Sequence, residues 1–175
     1  MSAPQTWPEW PKHMAPDEET AVLAEFDALL ASWGVVNFTA RELFRVNDHK
    51  PGEGKFQIAP REMWPRIAET VKMAQKIRNR WAAPVTCNCG YRTLAYNLRV
   101  DGRPHSKHMT FRAMDLSPGK IPPGKTWEDF VTTVRQVVEE HELHVRPCGF
   151  GQYPRKNFCH IDTGDRDVKA RWIED

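Results

Sequence analysis

The sequence predicts an α+β fold in which a small, mainly antiparallel sheet is flanked by helices. Three segments have apolar residues at helical spacing, and several short strand-like segments cluster in the second half of the chain. Helices followed by a cluster of strands favour this class over a regular βα alternation. A chain of 175 residues is about one domain long and buries roughly 70% of its unfolded surface, so we expect one packed core.

The N-terminal segment differs in composition from the rest of the chain. Residues 1–16 contain four prolines and two tryptophans and have no sustained periodicity. We therefore predict an irregular N-terminal arm over 1–16 and a single domain over 17–175. The acidic start at Asp17 opens an amphipathic helix with its apolar residues on one face, and Gly34 ends it.

Three further segments have helix signals. Thr39 and Glu42 have the spacing of a capping box and start a short helix. "REMWPRIAETVKMAQKIRNRW" predicts a long helix over 61–81, with Pro65 tolerated in its first turn. "WEDFVTTVRQVVEEH" places four apolar residues on one face of another helix. The segment between the first two, "NDHKPGEGKFQIAP", has the composition of a loop.

Four segments have strand character. "APVTCNCGYR" predicts a strand that ends at Gly90, and "FRAMDLSP" a second strand that ends at Pro118. "TLAYNLRV" between them favours a helical turn, and the segments "HVRPCGFGQY" and "FCHIDTG" predict the last two strands. The strands therefore enclose the loop "DGRPHSKH", which is rich in polar residues.

Charge and hydropathy exclude some partners. The 25 basic and 23 acidic residues leave a net charge of +2, which does not indicate a nucleic-acid partner. No apolar run approaches the roughly 20 residues of a membrane span, and the N-terminus lacks the pattern of a secretory signal. The four cysteines include no CxxC pair, so buried thiols are favoured over a disulfide, which stays the lesser alternative.

The residue types of a hydrolytic zinc site occur in the second half of the chain. Zinc in such sites takes three protein ligands and keeps a fourth position open. His108, Asp115 and His160 would supply this set. Strand alternation puts His160 and Asp162 on one face, so two histidines and two carboxylates can converge. Taken one by one, each residue is more often a surface or capping residue.

The motifs around these residues resemble a known family. "VTCNCGYRTLAYNLRVDGRPHSKHMTFRAMDLSP" and "GFGQYPRKNFCHIDTG" are similar to the M15 zinc peptidases, which include D-alanyl-D-alanine carboxypeptidases and phage endolysins. The matching features are a "GYR" turn, an "SxHxxGxAxD" block and a final "HxD". The resemblance covers about residues 37–164. It implies a hedgehog/DD-peptidase-like zinc site in the α+β fold.

The resemblance also implies roles for individual residues. His108, Asp115 and His160 would hold one Zn²⁺ ion per chain, which activates water and polarises the scissile carbonyl. Arg92 would face the substrate carbonyl or carboxylate as a catalytic and substrate-binding residue, and Ser106 would contact the substrate. The implied reaction is hydrolysis of a peptidoglycan stem peptide, by carboxypeptidase or by endopeptidase action.

Three residues depart from the family pattern. Phe111 replaces a glycine, which we expect to add bulk near the metal, and Cys89 replaces a serine. Asn157 stands where many members have the acidic general base, and an amide cannot accept a proton from water. Either Asp162 serves as the base or orients a ligand histidine, or the site binds zinc without efficient hydrolysis.

Two other functions stay as alternatives. A catalytically weak domain of this fold would bind the cell wall or form part of a phage particle. A cysteine site at Cys159 and His160 is disfavoured because adjacent strand residues face opposite ways. Without an export signal, we expect a phage or prophage lysin that is made in the cytoplasm and reaches the wall with a holin, or a virion component.

Overall fold

The computed structural model describes residues 14–47, 54–165 and 167–174, so most of the predicted arm, residues 1–13, lies outside the described residues. The described part contains one five-stranded sheet. Its strands are β1 (Val85–Cys89), β2 (Ala113–Pro118), β3 (Gly149–Tyr153), β4 (Phe158–Asp162) and β5 (Ala170–Ile173).

Five α-helices surround the sheet in the described residues. They are α1 (Pro16–Ser32), α2 (Ala40–Phe44), α3 (Ala68–Trp81), α4 (Leu94–Arg99) and α5 (Trp127–His144). None of these helices is long and apolar enough to span a membrane. The predicted capping box between Thr39 and Glu42 is present at the start of α2.

The strand order is β1-β2-β4-β3-β5. All neighbours are antiparallel except β3 and β5, which are parallel. The α+β class with a mainly antiparallel sheet and flanking helices is therefore confirmed.

The hydrophobic core lies between one face of the sheet and the helices α3 and α5, which contact each other and the central strands. Met114 and Leu116 of β2 and Cys159 and Ile161 of β4 point into this core and have no exposed surface. The four predicted apolar residues of α5 pack in the same core: Phe130, Val134, Val137 and Val138. The opposite face of the sheet carries polar residues, among them Asp115 of β2 and His160 of β4.

Two predictions about elements need correction. The helix predicted over 61–81 begins as a 3-10 helix over Arg61–Ile67, because Pro65 lacks the N–H that an α-helix would need there. The final strand β5 was not predicted: it is four residues long and follows a turn, so its pattern is short. β5 pairs with β3 from Gly149 to Gln152 and extends the sheet at its edge.

The four cysteines lie in the described residues as free, buried thiols, so none of them forms a disulfide. Cys159 belongs to the hydrophobic core, and burial raises the pKa of its thiol to about 12. A thiol that is protonated and packed in the core cannot act as a nucleophile. The structure thus argues against the cysteine site at Cys159 and His160.

Candidate metal centre

Three potential ligand atoms meet on the sheet face opposite the core. His108 Nε2 lies 3.2 Å from Asp115 Oδ1 and 3.2 Å from His160 Nδ1. His160 Nδ1 lies 2.9 Å from Asp115 Oδ1. The structure therefore brings the three predicted ligands together in a nearly equilateral triangle.

Strand register places two of the three residues. Asp115 of β2 is directly opposite His160 of β4 in the antiparallel pair, so both side chains leave the sheet on the same face. Ala113, which faces Asp162 in the same register, keeps this face free of bulk next to the pair. The period-2 alternation read from the sequence is responsible for this arrangement.

His108 comes from the loop before β2 and is held by the strand before it. Its Nδ1 donates to the carbonyl oxygen of Gly90 over 2.8 Å, just after β1. The backbone carbonyl of His108 accepts from the N–H groups of Arg92 and Phe111. Because Nδ1 donates, the neutral ring exposes an unprotonated Nε2 to Asp115, which is the state a metal ligand needs.

Asp162 orients the other histidine. Its Oδ2 lies 3.2 Å from His160 Nε2 and accepts the proton of that nitrogen, while Oδ1 accepts from the backbone N–H of Gly164. The bond leaves His160 Nδ1 without a proton and turned toward Asp115. A carboxylate that fixes a ligand histidine in this way is a common partner in metal sites.

The cluster is buried and strongly coupled. Burial disfavours the charge of His108, but the Asp115 carboxylate and, to a smaller extent, Cys89 outweigh burial and raise the pKa of His108 to about 10. Burial likewise opposes the Asp115 carboxylate, and the two histidines nevertheless hold its pKa well below the usual range. His108 is therefore protonated at neutral pH in the metal-free site, and a metal ion that binds its Nε2 would displace that proton.

The donor set and its spacing fit zinc. Four-coordinate zinc binds nitrogen and carboxylate oxygen at about 2.0–2.2 Å, which puts tetrahedral ligand atoms about 3.3–3.6 Å apart. The observed separations of 2.9 to 3.2 Å are slightly shorter. His108, Asp115 and His160 could therefore hold a zinc ion with little rearrangement.

Arg92 supports the carboxylate. Its NH2 group donates to Asp115 Oδ2 over 2.9 Å, and its Nε donates to Cys89 Sγ over 3.0 Å. Both contacts leave Oδ1 of Asp115 to face the histidines. Ser106 is half-buried in the turn before His108 and lines the same cleft.

The three atoms lie in a cleft of about 710 Å³. Aromatic side chains line part of it, and two of these come from residues that the sequence did not single out. Trp172 of β5 lies 5.3 Å from His160 between ring centroids, and its Nε1 donates to the hydroxyl of Tyr153. Gly151 has no side chain at the place that the Trp172 ring occupies. The signal for Trp172 was the segment "ARWI", which at four residues is too short for a strand to be predicted from it.

Phe111 corrects one expectation. It does occupy a left-handed backbone position, with φ of 54°, as a glycine would. Its ring, however, packs in the core against Phe26, Phe44 and Tyr91 and does not line the cleft. The bulk expected near the metal is therefore absent, because the turn directs the side chain away from His108.

Asn157 also has a local explanation. It is exposed, has φ of 54° and ends the short 3-10 turn Pro154–Lys156 before β4. Asparagine is one of the few residues that adopt this conformation readily. Asn157 does not line the cleft, so its amide has no contact with the three ligand atoms there.

Two histidines and a carboxylate at the floor of an open cleft are typical of metal-dependent hydrolases. Comparison with known families agrees with this class and is more specific. Residues 36–162, more than half of the chain, match the family described as Peptidase M15, and the chain belongs to this metallopeptidase family. No curated protein matches the chain.

Proposed function

We propose that the protein is a zinc-dependent peptidase that hydrolyses peptidoglycan stem peptides, as a D-Ala-D-Ala carboxypeptidase or an endopeptidase of the endolysin type. The observation that carries the proposal is the triangle of His108 Nε2, Asp115 Oδ1 and His160 Nδ1, with edges of 2.9 to 3.2 Å, at the floor of the cleft. Membership of the M15 family supports the same reaction class.

A bound zinc ion would supply a Lewis acid that lowers the pKa of water toward about 7 and polarises a carbonyl. The chain itself prepares the ligands. Gly90 and Asp162 accept the protons of the outer nitrogens of His108 and His160, so the inner nitrogens keep their lone pairs. Arg92 holds the carboxylate of Asp115 in the orientation that presents Oδ1 to both rings.

The cleft suits an extended peptide with acidic groups. Its walls include the cationic side chains of Arg103, Lys107 and Lys156, which attract carboxylates. Tyr153 and Phe158 stack on each other with ring centroids 4.3 Å apart and offer a flat apolar surface beside them. A stem peptide carries both free carboxylates and small aliphatic side chains.

We assign Asp162 the task of orienting His160 and not that of the base. Its side chain is fully buried and bonds the ring nitrogen that is turned away from the triangle. Arg92 combines two tasks in this proposal. A guanidinium has five N–H donors, and its contacts with Asp115 and Cys89 use two of them, so others can reach a substrate carbonyl. Ser106, which also lines the cleft, contributes to substrate binding.

Zinc content and peptidoglycan hydrolysis together test the proposal. Elemental analysis of the purified wild-type protein should find about one zinc per chain, and His108→Ala should lose it. In a zymogram with purified peptidoglycan, wild type should clear the gel and Asp115→Ala should not. Mass spectrometry of the released peptides would identify the bond that is cut.

The matched control is Asp165→Asn, which removes an acidic residue that is 80% exposed and outside the cleft. This variant should keep both the zinc and the clearing activity. A wild-type protein that neither contains zinc nor takes it up when zinc is added would refute the proposal.

A second candidate is wall binding without efficient hydrolysis. Two observations favour it: Asp162 is hydrogen-bonded to His160, and Asn157 is exposed at the end of a turn. Neither of these two described residues is then available as the general base. In that case the wild-type protein would sediment with purified walls and contain zinc, but it would release no peptides.

The place of action follows from the substrate. Peptidoglycan lies outside the inner membrane, so we propose that a phage or prophage lysin of this kind is made in the cytoplasm and gains access with a partner holin. The alternative is a domain carried by a phage particle. Expression of the chain with and without a holin, followed by culture lysis, would distinguish the two.

A further inference from the structure

Cys89 lies beside the three candidate ligands, on the face of the sheet opposite the core. Cys87 and Cys89 are two residues apart on β1, and regular strand alternation would place both on the core face. The pairing of β1 with β2 shifts register between them: Cys87 faces Leu116, and Cys89 faces Asp115. This irregularity moves Cys89 to the face that carries the ligands.

The two thiols consequently have different surroundings. Cys87 belongs to the hydrophobic core, whereas Cys89 lines the cleft. Cys89 is the direct cross-strand neighbour of Asp115, which places its side chain next to one of the three candidate ligands. Its Sγ, a ring nitrogen of His108 and a carboxylate oxygen of Asp115 all lie within 4.8 Å of one another.

Arg92 joins this thiol to the centre. Its Nε donates to Cys89 Sγ, while the same guanidinium donates to Asp115 Oδ2. A donor that bonds both residues at once fixes their relative positions. Hydrogen bonds of this kind orient metal ligands from outside the coordination shell.

From these contacts we infer that Cys89 is a fourth protein ligand of the metal, through its Sγ, in addition to His108, Asp115 and His160. The inference rests on the proposed metal centre. Thiolate is a preferred zinc ligand, and its binding releases the thiol proton to solvent. Four protein ligands would occupy the position that hydrolytic zinc sites usually leave open. Because zinc can expand to five ligands, the proposed hydrolysis would then need water as a fifth ligand.

X-ray absorption at the zinc edge tests the inference without relying on activity. Zinc–sulfur bonds are about 2.3 Å long and zinc–nitrogen bonds about 2.0–2.1 Å, so one sulfur ligand is distinguishable. The wild-type zinc protein should have one sulfur in the coordination shell. Cys89→Ser, which restores the residue type of the family pattern, should have nitrogen and oxygen ligands alone.

Cys87→Ala is the matched control, because it removes the neighbouring thiol from the core and should keep the sulfur ligand. Competition with a chelator adds a second measurement: zinc affinity of Cys89→Ser should fall at least about tenfold, since loss of a group that merely supports a ligand already costs that much.

The possible outcomes separate the two proposals. Zinc bound by nitrogen and oxygen alone in the wild-type protein would overturn the role of Cys89 and leave the metal centre intact. A wild-type protein that binds no zinc would overturn both. The wild-type spectrum is decisive in itself, so the test does not depend on the folding of any variant.

Discussion

The two faces of the β2 and β4 strand pair differ in chemistry although they alternate along the same ten or so residues. On one face, Met114 and Ile161 have no exposed surface and pack against helices. On the other, Asp115 and His160 are also nearly buried, but they are polar and lie 2.9 Å apart. Burying polar groups costs free energy unless they are bonded. Burial of the apolar face therefore stabilises the strand pair. This stabilisation offsets the free-energy cost of burying the polar cluster on the other face.

The largest expected loss of stability comes from Phe111, in the turn that precedes β2. Phe111→Ala should lower the free energy of unfolding by about 3–5 kcal/mol, because it removes a buried ring from the aromatic cluster. Phe111→Gly loses the same ring but fits the positive φ, which costs an L-residue about 1–2 kcal/mol. Urea unfolding should therefore find the glycine variant more stable than the alanine variant.

At most positions a glycine variant is less stable than an alanine variant, because glycine loses more conformational freedom on folding. The alanine variant would then be the more stable of the two. That result would mean that the turn at position 111 is not strained, and that the ring is the sole contribution of this residue.

The apolar face should respond to truncation in stability and not in metal binding. Ile161→Ala removes a fully buried side chain from β4 and should cost about 2–5 kcal/mol in urea unfolding. The control is Ile173→Ala on β5, where the same side chain is 65% exposed and the loss should be small. A fall in zinc content per folded molecule in Ile161→Ala would contradict this prediction. It would mean that packing on the apolar face also positions the metal ligands on the polar face.

The polar face should respond in the opposite way. In Asp162→Asn the amide N–H group faces His160 Nε2, so the ring must move its proton to Nδ1 and lose the lone pair that faces Asp115. We expect zinc affinity to fall about 10–100-fold, or about 1.4–2.8 kcal/mol, measured by chelator competition.

Asp165→Asn again serves as the control, since it makes the same chemical change outside the cleft. Unchanged zinc affinity in Asp162→Asn would argue that His160 does not bind the metal through Nδ1.

The smallest effect concerns pH and a histidine far from the cleft. His141 is buried near the end of α5, and burial lowers its pKa although Glu69 on α3, 3.7 Å away, opposes the shift. Its folded pKa therefore lies below the unfolded value of about 6.5. Below that pH the unfolded chain binds more protons than the folded one, so stability that is complete above it is lost as pH falls.

Urea unfolding at neutral and at mildly acidic pH measures this effect. His141→Gln should have a shallower loss of stability on acidification than the wild type, and His144→Gln, which changes an exposed residue of the same helix, should keep the wild-type dependence. Equal dependence in all three proteins would contradict the role of His141. Charged neighbours that also act on this ring are Lys76, Glu142 and Arg146.

Much of the candidate site could be predicted from local patterns. The alternation in "FCHID" placed His160 and Asp162 on one face, and the block from His108 to Asp115 gave the other two residues of the triangle. The direction of Phe111 could not be predicted, because a left-handed turn reverses the side chain and depends on the aromatic cluster that receives it. Trp172 was missed for a similar reason, since its strand exists through pairing with β3.

The sequence by itself determined the class of fold, the M15 family and the residues that could bind zinc, because apolar periodicity and motif spacing are local properties of the chain. The tertiary structure alone decided which atoms meet. The register of β2 and β4 set Asp115 against His160, and a shift in the register of β1 and β2 turned Cys89 away from the core and toward them. A register depends on two distant segments at once, so one residue of slip changes the face of every side chain, and neither segment contains that information alone.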